Sequence, residues 1–481
     1  MKTIAILTLV SSSLLAAPAL SQDSVHPEPF DSAASGGSAQ DRLRGSLQAR
    51  AESRDAPRQL TLDDALALAT RRNLDLQLAR ADVSLSEADV SRAVSGFLPR
   101  LDLTASGGHD WTGKRAFFSP EVGSVDLPQE DSESYLFSLD FSQPLFTGFR
   151  STRDLQAARA ARRGAERLYD ETELSVAFEV TRQFYELVKA ERSLDVLVEN
   201  ARRSQELADR ADALYAAGKM SKSDTIQARV NLGNDQIAIQ NQRITIQLRR
   251  SALATALGLP ADEQLQPVAP PTVDANTLPS GEPPPLATLV ESAKARRPLL
   301  RADVANVEAA RAAIGAARAD YWPQLSLGAG YGRSGAEFSG SNGVFSSDLE
   351  RQYQASAGVT LRWNLFEGGL TRSNVRRAQA NESRVRATAE RNDVLVAQQI
   401  ADARAGVLWL TEAVKLAAAN LAVAEQGVRL ATERLEAGLL SQLEARDANL
   451  KLTQSQLALV EARIDHAIAV ADLNRAVGGT L

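Results

Sequence analysis

Gln143-Pro144-Leu145-Phe146-Thr147-Gly148 returns later in the chain as Trp363-Asn364-Leu365-Phe366-Glu367-Gly368, and this doubled turn decides how the rest is read. Phe97-Leu98-Pro99-Arg100-Leu101 precedes the first turn as Tyr321-Trp322-Pro323-Gln324-Leu325 precedes the second. Tyr215-Ala216-Ala217-Gly218 and Ala256-Leu257-Gly258 follow the first, as Leu435-Glu436-Ala437-Gly438 and Ala476-Val477-Gly478 follow the second. Pro144 and Asn364, Gly218 and Gly438, and Gly258 and Gly478 are each 220 residues apart. No net insertion separates the landmarks, which implies a rigid structure whose lengths matter.

Before each turn the hydrophobic period is two. Leu101, Leu103 and Ala105 alternate with Asp102, Thr104 and Ser106, and Tyr135, Phe137, Leu139 and Phe141 with Leu136, Ser138, Asp140 and Ser142. The second copy repeats this in Leu325, Leu327, Ala329 and Tyr331, and then in Ala355, Ala357, Val359, Leu361 and Trp363. The alternation predicts strands at about 101–111, 134–145, 325–333 and 353–365, joined in the first copy by a polar loop. Their length and two-sidedness suit strands of a membrane barrel. A soluble β-subdomain with an aromatic core would alternate in the same way. Aromatic residues make up 5% of the chain, yet Trp111, Tyr135, Phe146, Trp322, Tyr331, Tyr353 and Trp363 fall in or beside these segments, as interfacial girdles require.

After each turn the pattern becomes helical. Arg150 to Ala217 contains no proline, a span of roughly 100 Å at about 1.5 Å per residue. Ile400, Val407, Val414, Leu421, Val428 and Leu435 recur every seven residues, and the first copy holds the same register in Val180, Leu187, Leu194, Ala201, Ala208 and Tyr215. This is a coiled-coil seam. Gly218 and Gly438 stop the rods, and Ser221-Lys222-Ser223-Asp224 and Ser441-Gln442-Leu443-Glu444 restart helices that return to Gly258 and Gly478. The predicted class is mainly α with a β-barrel portion. Each copy is a long helical hairpin hung from two strands.

The ends and composition bound the function. Met1-Lys2, the apolar run Ile4–Leu15 and Ala17-Pro18-Ala19 read as a signal peptide over 1–21. Residues 22–59 read as a flexible segment, 60–259 as the first repeat, 260–285 as a Pro-rich linker and 286–481 as the second repeat. The chain has no cysteine, which excludes disulfides, thiolate metal sites and a lipidated N-terminal Cys. Past the leader no apolar run reaches the roughly 20 residues of a spanning helix. A net charge of −6 argues against nucleic acid as a partner. His26, His109 and His466 lack metal-ligand spacing, no nucleophile constellation stands out, and neither an enzyme nor a cofactor is expected. Four strands cannot close a barrel, since the smallest spanning barrels use about 8. Several chains must share one, and three give twelve strands.

From about Leu60 to its end the chain resembles the TolC-like outer-membrane efflux and secretion channels, through the duplicated proline, the Leu-Phe-x-Gly turns and the Ala-Gly tips. The resemblance implies a homotrimer in the outer-membrane lipid, with a periplasmic helical tunnel that meets an adaptor protein and an inner-membrane transporter. It implies adaptor contacts at the tips, here Gly218, Lys219 and Met220 with Gly438, Leu439 and Leu440. It also implies acidic gate residues after each tip, here Asp224, Glu444 and Asp447, whose rings in a trimer would favour cations. Asp224 and Glu444 equally fit helix-capping boxes, whereas Asp447 lies beyond the cap. Leu435 and Leu440 replace the polar latch of the family's best-known member. The alternative from another class is a periplasmic coiled-coil scaffold with a soluble β docking module.

Overall fold

The computed structural model describes residues 58–121, 123–270, 282–335, 353–437 and 439–479. The expected leader, most of the N-terminal segment and much of the Pro-rich linker lie outside them. In chain order the elements are β1 (Arg58–Leu60), α1 (Leu62–Arg72), α2 (Leu74–Ser95), β2 (Arg100–Thr112), β3 (Arg115–Ser119), β4 (Gly123–Leu127), β5 (Glu130–Phe146), α3 (Arg150–Ala216) and α4 (Lys222–Ala256). They continue with β6 (Leu265–Pro267), α5 (Leu286–Arg296), α6 (Pro298–Ala317), a 3-10 turn (Arg318–Tyr321), β7 (Gln324–Gly335), β8 (Tyr353–Arg362), α7 (Leu370–Glu436) and α8 (Gln442–Val477).

Four strands form one antiparallel sheet in the order β2-β5-β7-β8. Its register sorts the two faces. Leu101 sits opposite Phe141, Leu103 opposite Leu139, Leu139 opposite Tyr331, Leu327 opposite Val359 and Leu325 opposite Leu361, so these apolar residues share one face. The other face pairs Asp102 with Asp140, Thr104 with Ser138, Ser138 with Gly332 and Ser326 with Thr360. One side is suited to lipid, the other to a wet lumen. Leu101, Leu103, Val359 and Leu361 are exposed, and so are Trp111 and Tyr353 towards one end and Tyr321, Trp322, Trp363 and Phe366 towards the other.

The doubled turn is fixed alike in both copies by different chemistry. Gln143 Nε2 donates to Phe97 O at 3.0 Å, and in the second copy Trp363 Nε1 donates to Tyr321 O at 3.2 Å. Gly148 takes φ +63°, and a Cβ there would lie 2.4 Å from Ala319 O, so glycine is required. Each strand hands on to a helix, which makes the helical layer follow the sheet. α3 packs against α2 and α6, and α6 against α7; beyond them α4 packs on α3, α3 on α8, and α8 on α7. α3 and α7 have 67 residues each, or about 100 Å. Val180, Leu187, Ile400, Val407 and Val414 of the expected seams are buried, while Tyr215 near the tip is 46% exposed.

Three sequence expectations are corrected. Arg58 and Gln59, read as flexible tail, extend with Leu60 as a strand that pairs in parallel with Leu265–Pro267 of the expected linker, because Leu60 and Leu265 are fully buried beside Phe184 and Leu253. Three-residue strands carry no legible period. The polar loop of the first copy contains the hairpin β3–β4. Finally, α7 does contain an 18-residue window of mean hydropathy 1.5, only 11% of it buried. Its apolar residues Trp409, Leu416 and Val423 recur every seven positions and stay exposed, which marks an unpartnered helix face.

Candidate functional site

The tips are built by backbone geometry before any side chain acts. At the first, Gly218 (φ +71°) donates its N–H to Tyr215 O at 2.9 Å and Lys219 to Leu214 O at 2.9 Å, the two crossed bonds of a Schellman motif. At the second, Leu439 donates to Arg434 O at 2.8 Å; Gly438 lies outside the described residues. Lys219 is exposed and so is Leu439, at 78%, while Met220 and Leu440 are half-buried. Both tips present side chains to whatever meets the end of the hairpins.

The acidic candidates fall in two classes. Ser441 and Glu444 form a complete capping box: Glu444 N–H donates to Ser441 Oγ at 3.3 Å, and Ser441 N–H donates to the Glu444 carboxylate at 2.9 Å. That backbone bond, with the Ser441 hydroxyl, holds the Glu444 carboxyl below its ordinary range. The first copy has half of this arrangement, since Asp224 N–H donates to Ser221 Oγ at 3.2 Å and the Ser221 hydroxyl to the Asp224 carboxylate at 2.8 Å. The aspartate is one methylene shorter than Glu444. Asp447 stands outside the cap and pairs with Lys451 at 2.6 Å on an exposed surface. Such a pair holds it weakly, at about 0.5 kcal/mol.

Asp224 lines a cleft with Gln442, Leu443 and Arg446, so the restarts of the two descending helices meet there. Sequence reading missed the group behind them. Arg446 of α8 forks onto Asp235 of α4, Nη1 at 2.7 Å and Nη2 at 2.8 Å, with Ser204 of α3 bonded to both. Arg446 and Asp235 are 16% and 10% exposed. The pair fastens the second hairpin to the first. Its legible signal is weak: Asp235 shares a seven-residue row with Gln242, which bonds Ala190 O on the same packed face.

His466 is buried at 7% exposure and shares a 3.1 Å hydrogen bond with Thr411; burial pushes its pKa below the ordinary histidine value. Among the described residues no cluster of three or more His, Cys, Asp or Glu is placed to hold a metal.

A sheet that is apolar on one face and open at both edges, above paired coiled-coil hairpins, defines an outer-membrane channel protein of the TolC type. Residues 65–259 and 289–479 match the model of the outer membrane efflux protein family, and the chain belongs to that family. It is similar to outer membrane protein OprJ of Pseudomonas aeruginosa, at 26% identity over 420 residues, 84% of this chain and 80% of that protein. It also resembles the cobalt-zinc-cadmium resistance protein CzcC of Cupriavidus metallidurans, at 24% identity over 84% of this chain and 86% of that one. The outer membrane channel CmeC of Campylobacter jejuni superposes with a TM-score of 0.74 at 18% identity, covering 87% of this chain and 85% of that one. The family match sets aside the soluble scaffold, and this is an outer-membrane efflux protein.

Proposed function

We propose that the chain is the exit duct of a tripartite efflux pump or type I secretion machine, with three copies closing one twelve-stranded barrel and one helical tunnel. The observation that carries this reading is the pair of open edges on β2 and β8, with an apolar face between them. An unpaired edge in lipid leaves backbone N–H and C=O groups unbonded at several kcal/mol each, so closure by further copies is the cheap solution. Cargo moves through without chemistry by the chain itself. The exposed tips around Gly218–Met220 and Leu439–Leu440 are where a periplasmic adaptor, and through it an inner-membrane transporter, would dock.

The gate reading divides by geometry. Glu444 is occupied as a cap, Asp224 partly so, and Asp447 is tied only to a surface lysine, so Asp447 is the principal ion-facing acid. In planar bilayers the protein should give cation-preferring channels, and Asp447→Asn with Glu444→Gln should reduce that preference. Absence of channels would overturn the duct, and an unchanged ion preference would overturn the gate assignment.

A further inference from the structure

The protomer carries its own template for contact with the next copy. Resting on the trimer reading above, we infer that α7 of one copy packs against α2 and α4 of another in the register that α3 keeps with α6 and α8 inside the chain. An arginine–aspartate ladder fixes its upper half and an apolar ladder its lower half.

The argument starts from the repeat. β5 pairs with β7, and the helices below continue that register: Arg150 bonds Asp320, Arg163 bonds Glu308 at 2.6 Å, and a Cβ at Gly164 would lie 2.6 Å from Asn306 Oδ1. β8 and α7 are the second-copy counterparts of β5 and α3. β2 and α2 are the first-copy counterparts of β7 and α6, with Asn73 before α2 standing where Arg297 stands before α6. Translating Gly164 and Asn306 through the repeat gives Arg384 and Asp82.

Seven residues either way along each helix lie Arg377 and Arg391 on α7, and Asp89 and Asp75 on α2. Antiparallel helices then match Arg377 with Asp89, Arg384 with Asp82 and Arg391 with Asp75. The three arginines lie on the side of α7 away from its buried residues Thr371, Val375 and Glu382. Among the described residues Arg384 bonds Asn381 and no carboxylate, and Asp89 is held by the exposed Arg92, which would compete with Arg377 for it. Asp75, Asp82, Arg377 and Arg391 make no ion pair among the described residues.

The lower half supports the same register independently. Inside the chain Lys189 of α3 bonds Asp465 of α8 at 2.8 Å. Translation places Trp409 opposite Thr245, beside Ile244. One heptad further come Leu416 with Ile237, and then Val423 with Val230. All six of these apolar residues are at least half exposed in the single chain. They lie on edges that the chain's own packing leaves bare. Exposed charge pairs contribute little raw stability, so the upper ladder selects register while the apolar ladder supplies the attraction.

The chain has no cysteine, which makes the test clean. Leu416→Cys with Ile237→Cys is expected to oxidise to covalent oligomers on non-reducing gels, whereas Leu416→Cys with Ile244→Cys, about 10 Å out of register, is not. Reversing Arg377, Arg384 and Arg391 to Asp should abolish the heat-sensitive trimer band. Reversing Asp75, Asp82 and Asp89 to Arg should do the same, and combining the six should restore it. Cross-linking of the slipped pair in place of the matched one overturns the register, and a combined variant that stays without trimer overturns the ladder. Unsubstituted protein that shows no trimer overturns the trimer reading instead.

Discussion

The two long helices, α3 and α7, have the same length and the same place in the repeat, yet α3 buries 14 residues and α7 buries 8. α3 is flanked on both sides by its own chain, whereas α7 stands at an edge with one flank open. The difference teaches that duplication fixed the shape while position in the sheet order decided which faces had to become core. Phe184 on α3 is fully buried; its counterpart on α7, Arg404, reaches sideways to Pro284 O at 2.9 Å.

The largest break in this comparison should come from that pair. Phe184→Ala empties a closed core and should cost about 3–5 kcal/mol, while Arg404→Ala should cost about 1 kcal/mol. Thermal unfolding followed by circular dichroism in detergent would rank them, and equal losses would contradict the contrast. Next comes the clamp, for which the second copy has no equivalent: Ser455 and Ala424 stand where the first has Asp235 and Ser204, and Ile226 of the first stands where the second has Arg446. Arg446→Ala leaves Asp235 buried without its cation, at about 3 kcal/mol, whereas Arg446→Met with Asp235→Leu should be near neutral. The single variant should also raise bilayer conductance if the clamp holds the hairpins together.

Smaller effects separate the helix restarts. Ser441→Ala and Ser221→Ala should each cost about 1 kcal/mol, the former more because its box is complete. Hydrogen exchange over the first turns of α8 and α4 would show the order. Glu444 adds a pH signature: its folded pKa is depressed, so its contribution is present above about pH 4.5 and is lost as pH falls through the folded value. The smallest effect lies at His466, whose first-copy counterpart is the buried Ile246. With a folded pKa below the ordinary 6.5, the neutral ring's contribution is full above pH 6.5 and declines as pH drops towards the folded value. His466→Ile should remove that decline, measured as a melting temperature less sensitive to pH by about 2 °C.

Long-period features were legible in the residues. The alternation of Leu101, Leu103 and Ala105, the heptads of Val180 and Ile400 and the stops at Gly218 and Gly438 each repeat often enough to declare strand, rod or tip. The parallel pairing of Arg58–Leu60 with Leu265–Pro267 was not legible, because three residues carry no period and the partners lie about 200 residues apart. The clamp escaped for a related reason. Ser204, Asp235 and Arg446 come from three helices, and only the packed bundle brings them together. The capping role of Glu444 was readable from Ser-x-x-Glu alone, since both partners lie within one turn.

The central claim is that this sheet closes only by sharing a barrel. The mass of the detergent-purified mature protein, measured by light scattering with the detergent subtracted, tests it directly: three chains per particle is the expected result. A particle holding a single chain would leave the β2 and β8 edges with nothing to pair against and would contradict the account.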